Sequence, residues 1–178
     1  MDLRPDSAAP LAGGVALPRI GLGVFRSGQG DGTRNAVRAA LDAGYRHIDT
    51  AAIYGNEEEV GQAIRRWCED TGGAREDVFI TTKLWNDDQG YDPALRAFEA
   101  SAARLGVEVV DLYLLHWPVP GLRHESWRAL ERLLQDGRVR AIGVSNFTVD
   151  HLEQLAGVAR HLPSVNQVEL HPFLPQRE

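Results

Sequence analysis

The strongest constraint on this 178-residue chain is an alternation. Apolar, β-branched-rich runs occur at "RIGLGVF", "RHIDT", "DVFITTKLW", "VVDLYLLHW", "RAIGVSNF" and "SVNQVEL", and helical patterns fall between them. Val60, Ile64 and Trp67 recur at helical spacing, as do Leu95, Phe98, Ala102 and Leu105. Trp127, Leu130 and Leu134 make a third set, and Leu152, Leu155 and Val158 a fourth. The strand runs are nearly continuous in apolar residues, which suits a parallel sheet covered by helices. Their spacing of roughly 25–35 residues is that of a βα unit with its crossover. Asp92-Pro93 reads as a helix start, and Gly44, Gly106 and Gly137 read as helix stops. The predicted class is α/β in one domain, residues 11–178, after a disordered tail at 1–10. "LAGGVALP" reads as a small hairpin turning at Gly13-Gly14.

Two architectures fit this alternation, a doubly wound sheet and a (β/α)8 barrel. A dinucleotide-binding doubly wound sheet wants G-x-G-x-x-G after its first strand. "GLGVFR" begins that way but has Arg26 where the third glycine belongs. The missing fingerprint favours the barrel.

Composition narrows the partners. The net charge is -6 and Lys and Arg form no block, which argues against nucleic acid or an anionic membrane as the main partner. Cys68 is the only cysteine, so no intrachain disulfide framework is possible and a reducing cytoplasm is the simplest setting. "MDLRPDSAAPLAGG" has no apolar core of a signal peptide. No apolar run approaches the roughly 20 residues of a membrane-spanning helix.

In a (β/α) barrel the C-terminal strand ends converge on one face, and that face hosts the active site. The second run ends in Asp49, with Tyr54 in the following loop. The third ends in Lys83, the fourth in His116, and the fifth in Ser145-Asn146; the sixth carries Gln167. Singly, Asp49 could cap a helix, Tyr54 could be a loop aromatic and His116 a core histidine. Lys83 is harder to dismiss, because an unpaired ammonium at a buried strand end is costly. Together the four fit reduction of a carbonyl. Tyr54 supplies a proton to the carbonyl oxygen once its pKa is lowered. Lys83 is expected to lower it by stabilising the phenolate, with Asp49 holding Lys83 in place. His116 is expected to hydrogen-bond and orient the carbonyl oxygen.

The segments "GYRHIDTAAIYGNE", "TTKLW", "LYLLHWP", "IGVSNF" and "NQVELHP" resemble, in order, those of the aldo-keto reductase family. The resemblance runs from about Leu17 to the end and is nearest the short-looped bacterial branch of diketogluconate-reductase type. It implies a (β/α)8 barrel that uses NADPH, or NADH, to reduce aldehydes and ketones without a metal. By resemblance Tyr54 is the acid, Lys83 and Asp49 its support, and His116 the substrate orienter. Ser145, Asn146 and Gln167 are implied to hydrogen-bond the nicotinamide carboxamide. Phe25, Trp85 and Trp117 are implied to wall the substrate pocket. The loop "WPVPGLRHESW" is short for the family, which implies an open, permissive site.

Set against that family, only about six βα units are expected before "HPFLPQRE". The family's last two units, with the basic segment that clamps the adenosine phosphates, have no counterpart; Arg177 is the only basic residue after His171. Open sheet edges are therefore expected, and with them self-association. Two other functions compete: a non-catalytic cofactor-sensing or partner-binding module of the same family, and a metal-dependent hydrolase using His47, Asp49, His116 and His171.

Overall fold

The computed structural model describes residues 7–177. Six strands form one parallel sheet in chain order: β3 (Leu22–Gly23), β4 (His47–Asp49), β5 (Phe79–Leu84), β6 (Val110–Leu115), β7 (Val139–Ser145) and β8 (Asn166–Gln167). A doubly wound sheet would reverse its strand order part-way; this one never does. Between the strands run α1 (Asp31–Asp42), α2 (Glu57–Thr71), α3 (Tyr91–Leu105), α4 (Arg123–Gln135) and α5 (Val149–Ala156). Ahead of the sheet stands an antiparallel hairpin, β1 (Ala8–Pro10) with β2 (Ala16–Pro18). Among the described residues no helix is long and apolar enough to cross a membrane.

The sheet curls. Flat neighbouring strands lie about 4.8 Å apart, so β4 and β8, four strands apart, would be separated by about 19 Å. Yet Gln167 Nε2 on β8 donates to Asp49 Oδ2 on β4 at 2.8 Å. The six strands are thus a curled arc of a barrel, with a lumen on the concave side and helices on the convex side.

Residues of alternating parity along the strands fill two cores. Ile48, Ile80, Leu84, Tyr113, Leu115, Ile142 and Val144 face the helices and meet Val60, Ile64, Phe98, Trp127 and Leu130. Phe79, Leu112, Leu114 and Ala141 face the lumen, where Val15 of the hairpin, with Leu11 and Leu17, closes the N-terminal end. All residues of β5 and β6 are buried, as their unbroken apolar runs require. Helix α2 needs Gly61: a Cβ there would lie 2.1 Å from the Leu105 carbonyl oxygen at the end of α3.

Four expectations change. Ala8–Pro10, read as tail, pairs with Ala16–Pro18, because Pro10 and Pro18 at strand ends withdraw no needed N–H; residues 1–6 of that tail lie outside the described residues. The first and last strand runs shorten to two residues each, since an edge strand has one neighbour to pair with. Helix α1 was read only from its stop at Gly44, with no apolar stripe named for it. Its buried stripe is only Thr33, Val37 and Leu41, behind a glycine-rich start. Helix α3 begins at Tyr91 after the cap position Gly90, so Asp92, read as the cap, lies inside the first turn together with Pro93. Gly44, Gly106 and Gly137 all take positive φ at helix ends, as expected.

Candidate active site

The lumen parity sets the site. Lys83, His116 and Ser145 each stand four residues beyond a lumen core residue, Phe79, Leu112 and Ala141, on the same side of the chain. Apolar residues thus fill the lower lumen, and polar ones take over where the strands end. Asp49 and Gln167 join that layer from β4 and β8.

At its centre Lys83 Nζ donates to Asp49 Oδ1 at 2.5 Å and to the Thr50 carbonyl at 2.9 Å. The lysine is enclosed, with 1% of its side chain exposed. Burial lowers the Lys83 pKa and Asp49 pulls it back up. Tyr54, in the 3-10 turn Ala52–Tyr54, lies with its ring centroid 5.2 Å from Lys83 Nζ. Its ring meets His116 edge-on at 5.8 Å between centroids. All four expected catalytic residues therefore meet at one place.

The electrostatics differ from the sequence expectation. Tyr54 is pushed up to about 12, by burial first and then by Asp49. The expected depression by Lys83 is not found, because Asp49 compensates the ammonium and the phenol is half-buried. His116 is lowered to about 4, chiefly by burial and then by Lys83, with Asp49 opposing. It is therefore a neutral imidazole at pH 7. Its Nδ1 is buried without a hydrogen-bond partner among the described residues. The tautomer protonated at Nε2 leaves Nδ1 as a buried acceptor instead of a stranded N–H, and frees Nε2–H to donate.

Ser145, Asn146 and Gln167 form one connected group. Ser145 Oγ donates to the Gln167 carbonyl at 2.9 Å, and Asn146 Nδ2 donates to the His116 carbonyl at 3.0 Å. Asn146 adopts φ 62°, a left-handed conformation that asparagine tolerates better than most residues. The amide nitrogens of Asn146 and Gln167 are thus engaged within the protein. Their amide oxygens accept no hydrogen bond among the described residues. Two free acceptors suit the NH2 group of a carboxamide, so these residues fit a nicotinamide.

Phe25 stacks obliquely on Tyr54, with centroids 4.9 Å apart, and is 60% exposed. Trp85 meets His116 edge-on at 5.1 Å. Trp117 is further out on the rim; Gln89 Nε2 holds its carbonyl at 2.7 Å. An open groove of about 590 Å3 continues down the lumen past Asp49, Gln167, His47, Gly21, Gly23 and Leu17.

The metal-hydrolase alternative required His47 and His171 beside Asp49 and His116. Instead His47 Nε2 bonds Thr81 Oγ1 at 2.9 Å, and His171 pairs with Glu169 at 2.8 Å. Among the described residues no three His, Cys, Asp or Glu side chains are grouped to hold a metal ion. The sequence reading missed Thr50, whose carbonyl holds Lys83, and Asn56, which is 2% exposed and hydrogen-bonded to Thr50. Neither has a periodic signature. Asn56 looks like an ordinary helix cap in "YGNEEE".

The model of the Aldo/keto reductase family matches residues 19–178. The chain belongs to this family. It is 55% identical over 173 residues to YtbE, an oxidoreductase of Bacillus subtilis (strain 168), covering 97% of this chain and 62% of the relative. It is 54% identical to a glyoxal reductase of the same organism, covering 94% of this chain and 59% of that protein. Among solved structures, an aldo/keto reductase of Brucella melitensis superposes with a TM-score of 0.88 at 50% identity, over 95% of this chain and 65% of that one. A Bombyx mori aldo-keto reductase in complex with NADP gives 0.89 at 37% identity, over 96% and 60%. The aldo-keto reductase chain described here spans about 60% of the length of the curated relatives it matches.

Proposed function

We propose that the protein reduces aldehyde or ketone carbonyls to alcohols with NADPH, and that this chain carries its proton-donating centre. The observation behind the reading is the convergence of Tyr54, Lys83, Asp49 and His116 from three strand ends onto one aromatic-rimmed face. The similarity to a glyoxal reductase and to an NADP-bound relative supports it. Bound NADPH supplies the hydride. Ser145, Asn146 and Gln167 would hold its carboxamide, through the free amide oxygens of the latter two.

The carbonyl oxygen takes its proton from the Tyr54 hydroxyl. A phenol near 12 still gives up that proton readily, because the developing alkoxide is a stronger base than a phenolate. Lys83 then faces the ring that becomes anionic, and Asp49 with the Thr50 carbonyl prevents it from turning away. Neutral His116 donates from Nε2 to the same oxygen and fixes its direction. Phe25, Trp85 and Trp117 would wall the outer side of the substrate site. NADPH oxidation measured with a panel of small aldehydes tests the reading. Turnover in the wild type that disappears in Tyr54→Phe supports it, and absence of turnover in the wild type overturns it.

The outer edges of β3 and β8 are unpaired among the described residues, and Phe173, Leu170 and Leu162 stand exposed beyond the sheet. The 178-residue chain is therefore expected to self-associate. Sedimentation as a sharply melting monomer would show the edges to be harmless.

A further inference from the structure

The turn that carries Tyr54 is fastened by a side chain that touches neither Lys83 nor His116. Asn56 stands at the N-cap position of α2, where an asparagine ordinarily caps the helix. Its side chain makes no cap hydrogen bond. It turns inward, 2% exposed, and both ends of its amide are used elsewhere. Asn56 Oδ1 accepts from Thr50 Oγ1 at 2.8 Å, closing the base of the turn that holds Tyr54. Asn56 Nδ2 donates to the Val24 carbonyl at 2.9 Å. Val24 precedes Phe25, whose ring lies against Tyr54. The same Thr50 that binds Asn56 through its hydroxyl binds Lys83 through its carbonyl.

The amide of Asn56 thus joins the first loop, the Tyr54 turn and the lysine's backbone anchor in one buried chain. The far side of the turn is held as well: Glu57 Oε1, one residue on, accepts from Thr82 Oγ1 at 2.6 Å, beside Lys83 on β5. A helix that forgoes its own cap while the capping side chain is buried in a bridge has a local rule broken in favour of a neighbouring structure. The structure so bridged is the turn that carries Tyr54.

We propose that Asn56 is a positioning residue for Tyr54, setting the hydroxyl relative to His116 and Lys83 by pinning its turn to the loop of Phe25. This rests on the reading of Tyr54 as the proton donor. Removing the bridge displaces the tyrosine without touching the cofactor residues. Small displacements of a reacting group cost up to about 10²-fold in rate.

The test uses the full 178-residue chain labelled with 3-fluorotyrosine. The chain has four tyrosines, and Tyr54→Phe assigns the Tyr54 line in the fluorine spectrum. Asn56→Ala is expected to move the Tyr54 line alone and to lower kcat about 10–100-fold. NADPH affinity should stay within about twofold. Thr50→Val removes the other half of the bridge and should act in the same direction. It also serves if Asn56→Ala does not fold. Because both variants cut one chain of bonds, the double variant should cost no more in kcat than the worse single. An unmoved Tyr54 line overturns the proposal. So does a uniform shift of all four lines with additive losses, since that marks a general packing role. If the wild type reduces no carbonyl but Asn56→Ala still moves only the Tyr54 line, the positioning stands and the carbonyl-reductase reading falls.

Discussion

Two carboxylates, Asp111 buried and Asp49 partly buried, stand at opposite ends of the same sheet, and their partners differ in kind. Asp111, near the N-terminal end of β6, accepts from Arg75 at 2.8 Å, Arg140 at 2.7 Å and the Ile80 N–H at 2.9 Å. Both arginines reach solvent, with 27% and 47% of their side chains exposed. Asp49, at the C-terminal end of β4, accepts instead from the enclosed ammonium of Lys83 and the amide of Gln167. Asp111 draws cations from the surface to neutralise itself, and its task ends there. Asp49 holds a cation inside, facing a tyrosine whose hydroxyl has no hydrogen-bond partner among the described residues. The lower end of the barrel is organised for stability and the upper end carries the proposed site, as the barrel architecture favours.

The largest effect that could break this contrast is at Tyr54. Tyr54→Phe keeps the ring but removes the proton, and kcat for carbonyl reduction should fall by roughly 10²–10⁴-fold with nicotinamide binding kept. Steady-state rates and a cofactor titration check it; near-normal kcat would reduce the upper end to another structural network. Lys83→Met should follow with a smaller loss in rate. It should also raise the His116 pKa, because Lys83 contributes to holding it at about 4. Burial, the larger cause, remains, so the rise should be partial. A histidine titration by NMR that is the same in both proteins would break the link.

Asp111→Asn sharpens the contrast from the other end. It weakens two charged hydrogen bonds and should cost about 1–3 kcal/mol of stability in a denaturant titration. The kcat of the folded fraction should be unchanged; a large fall would mean that the two ends are coupled.

The smallest effect is a pH dependence. His116 has a folded pKa of about 4 against an ordinary 6.5, and burial also lowers His47. Between those values the unfolded chain binds protons that the folded chain refuses. Stability from these groups is therefore full above about pH 6.5 and declines as pH falls toward about 4. Melting temperatures measured across that window should drop with pH, and less so in Lys83→Met.

The parts of the fold legible in the sequence were those written as periodic patterns. The runs around Ile80, Leu114 and Ile142 are continuous because both faces of their strands are buried, and they were read correctly. Polar residues interrupting those runs, Lys83 above all, marked the site. What periodicity could not carry was missed. Helix α1 presents only Thr33, Val37 and Leu41 to the core. Asn56 is placed by a bridge rather than by a stripe. The tyrosine's acidity also escaped: Asp49 was read as holding Lys83 in place, and only the geometry shows that it offsets the ammonium and that the phenol is half-buried.

The bond between Gln167 and Asp49 has a consequence in time. Its two residues are 118 apart in sequence, whereas Lys83 and Asp49 are 34 apart. By loop-closure entropy the longer contact costs about 1 kcal/mol more to form. Long-range pairing also slows folding. On a ribosome, Asp49, Tyr54 and Lys83 would emerge and dock while Gln167 was still being synthesised. The carboxylate would spend that interval with one oxygen open to water. A nascent chain would therefore acquire its lysine early and the Gln167 contact only when β8 arrived.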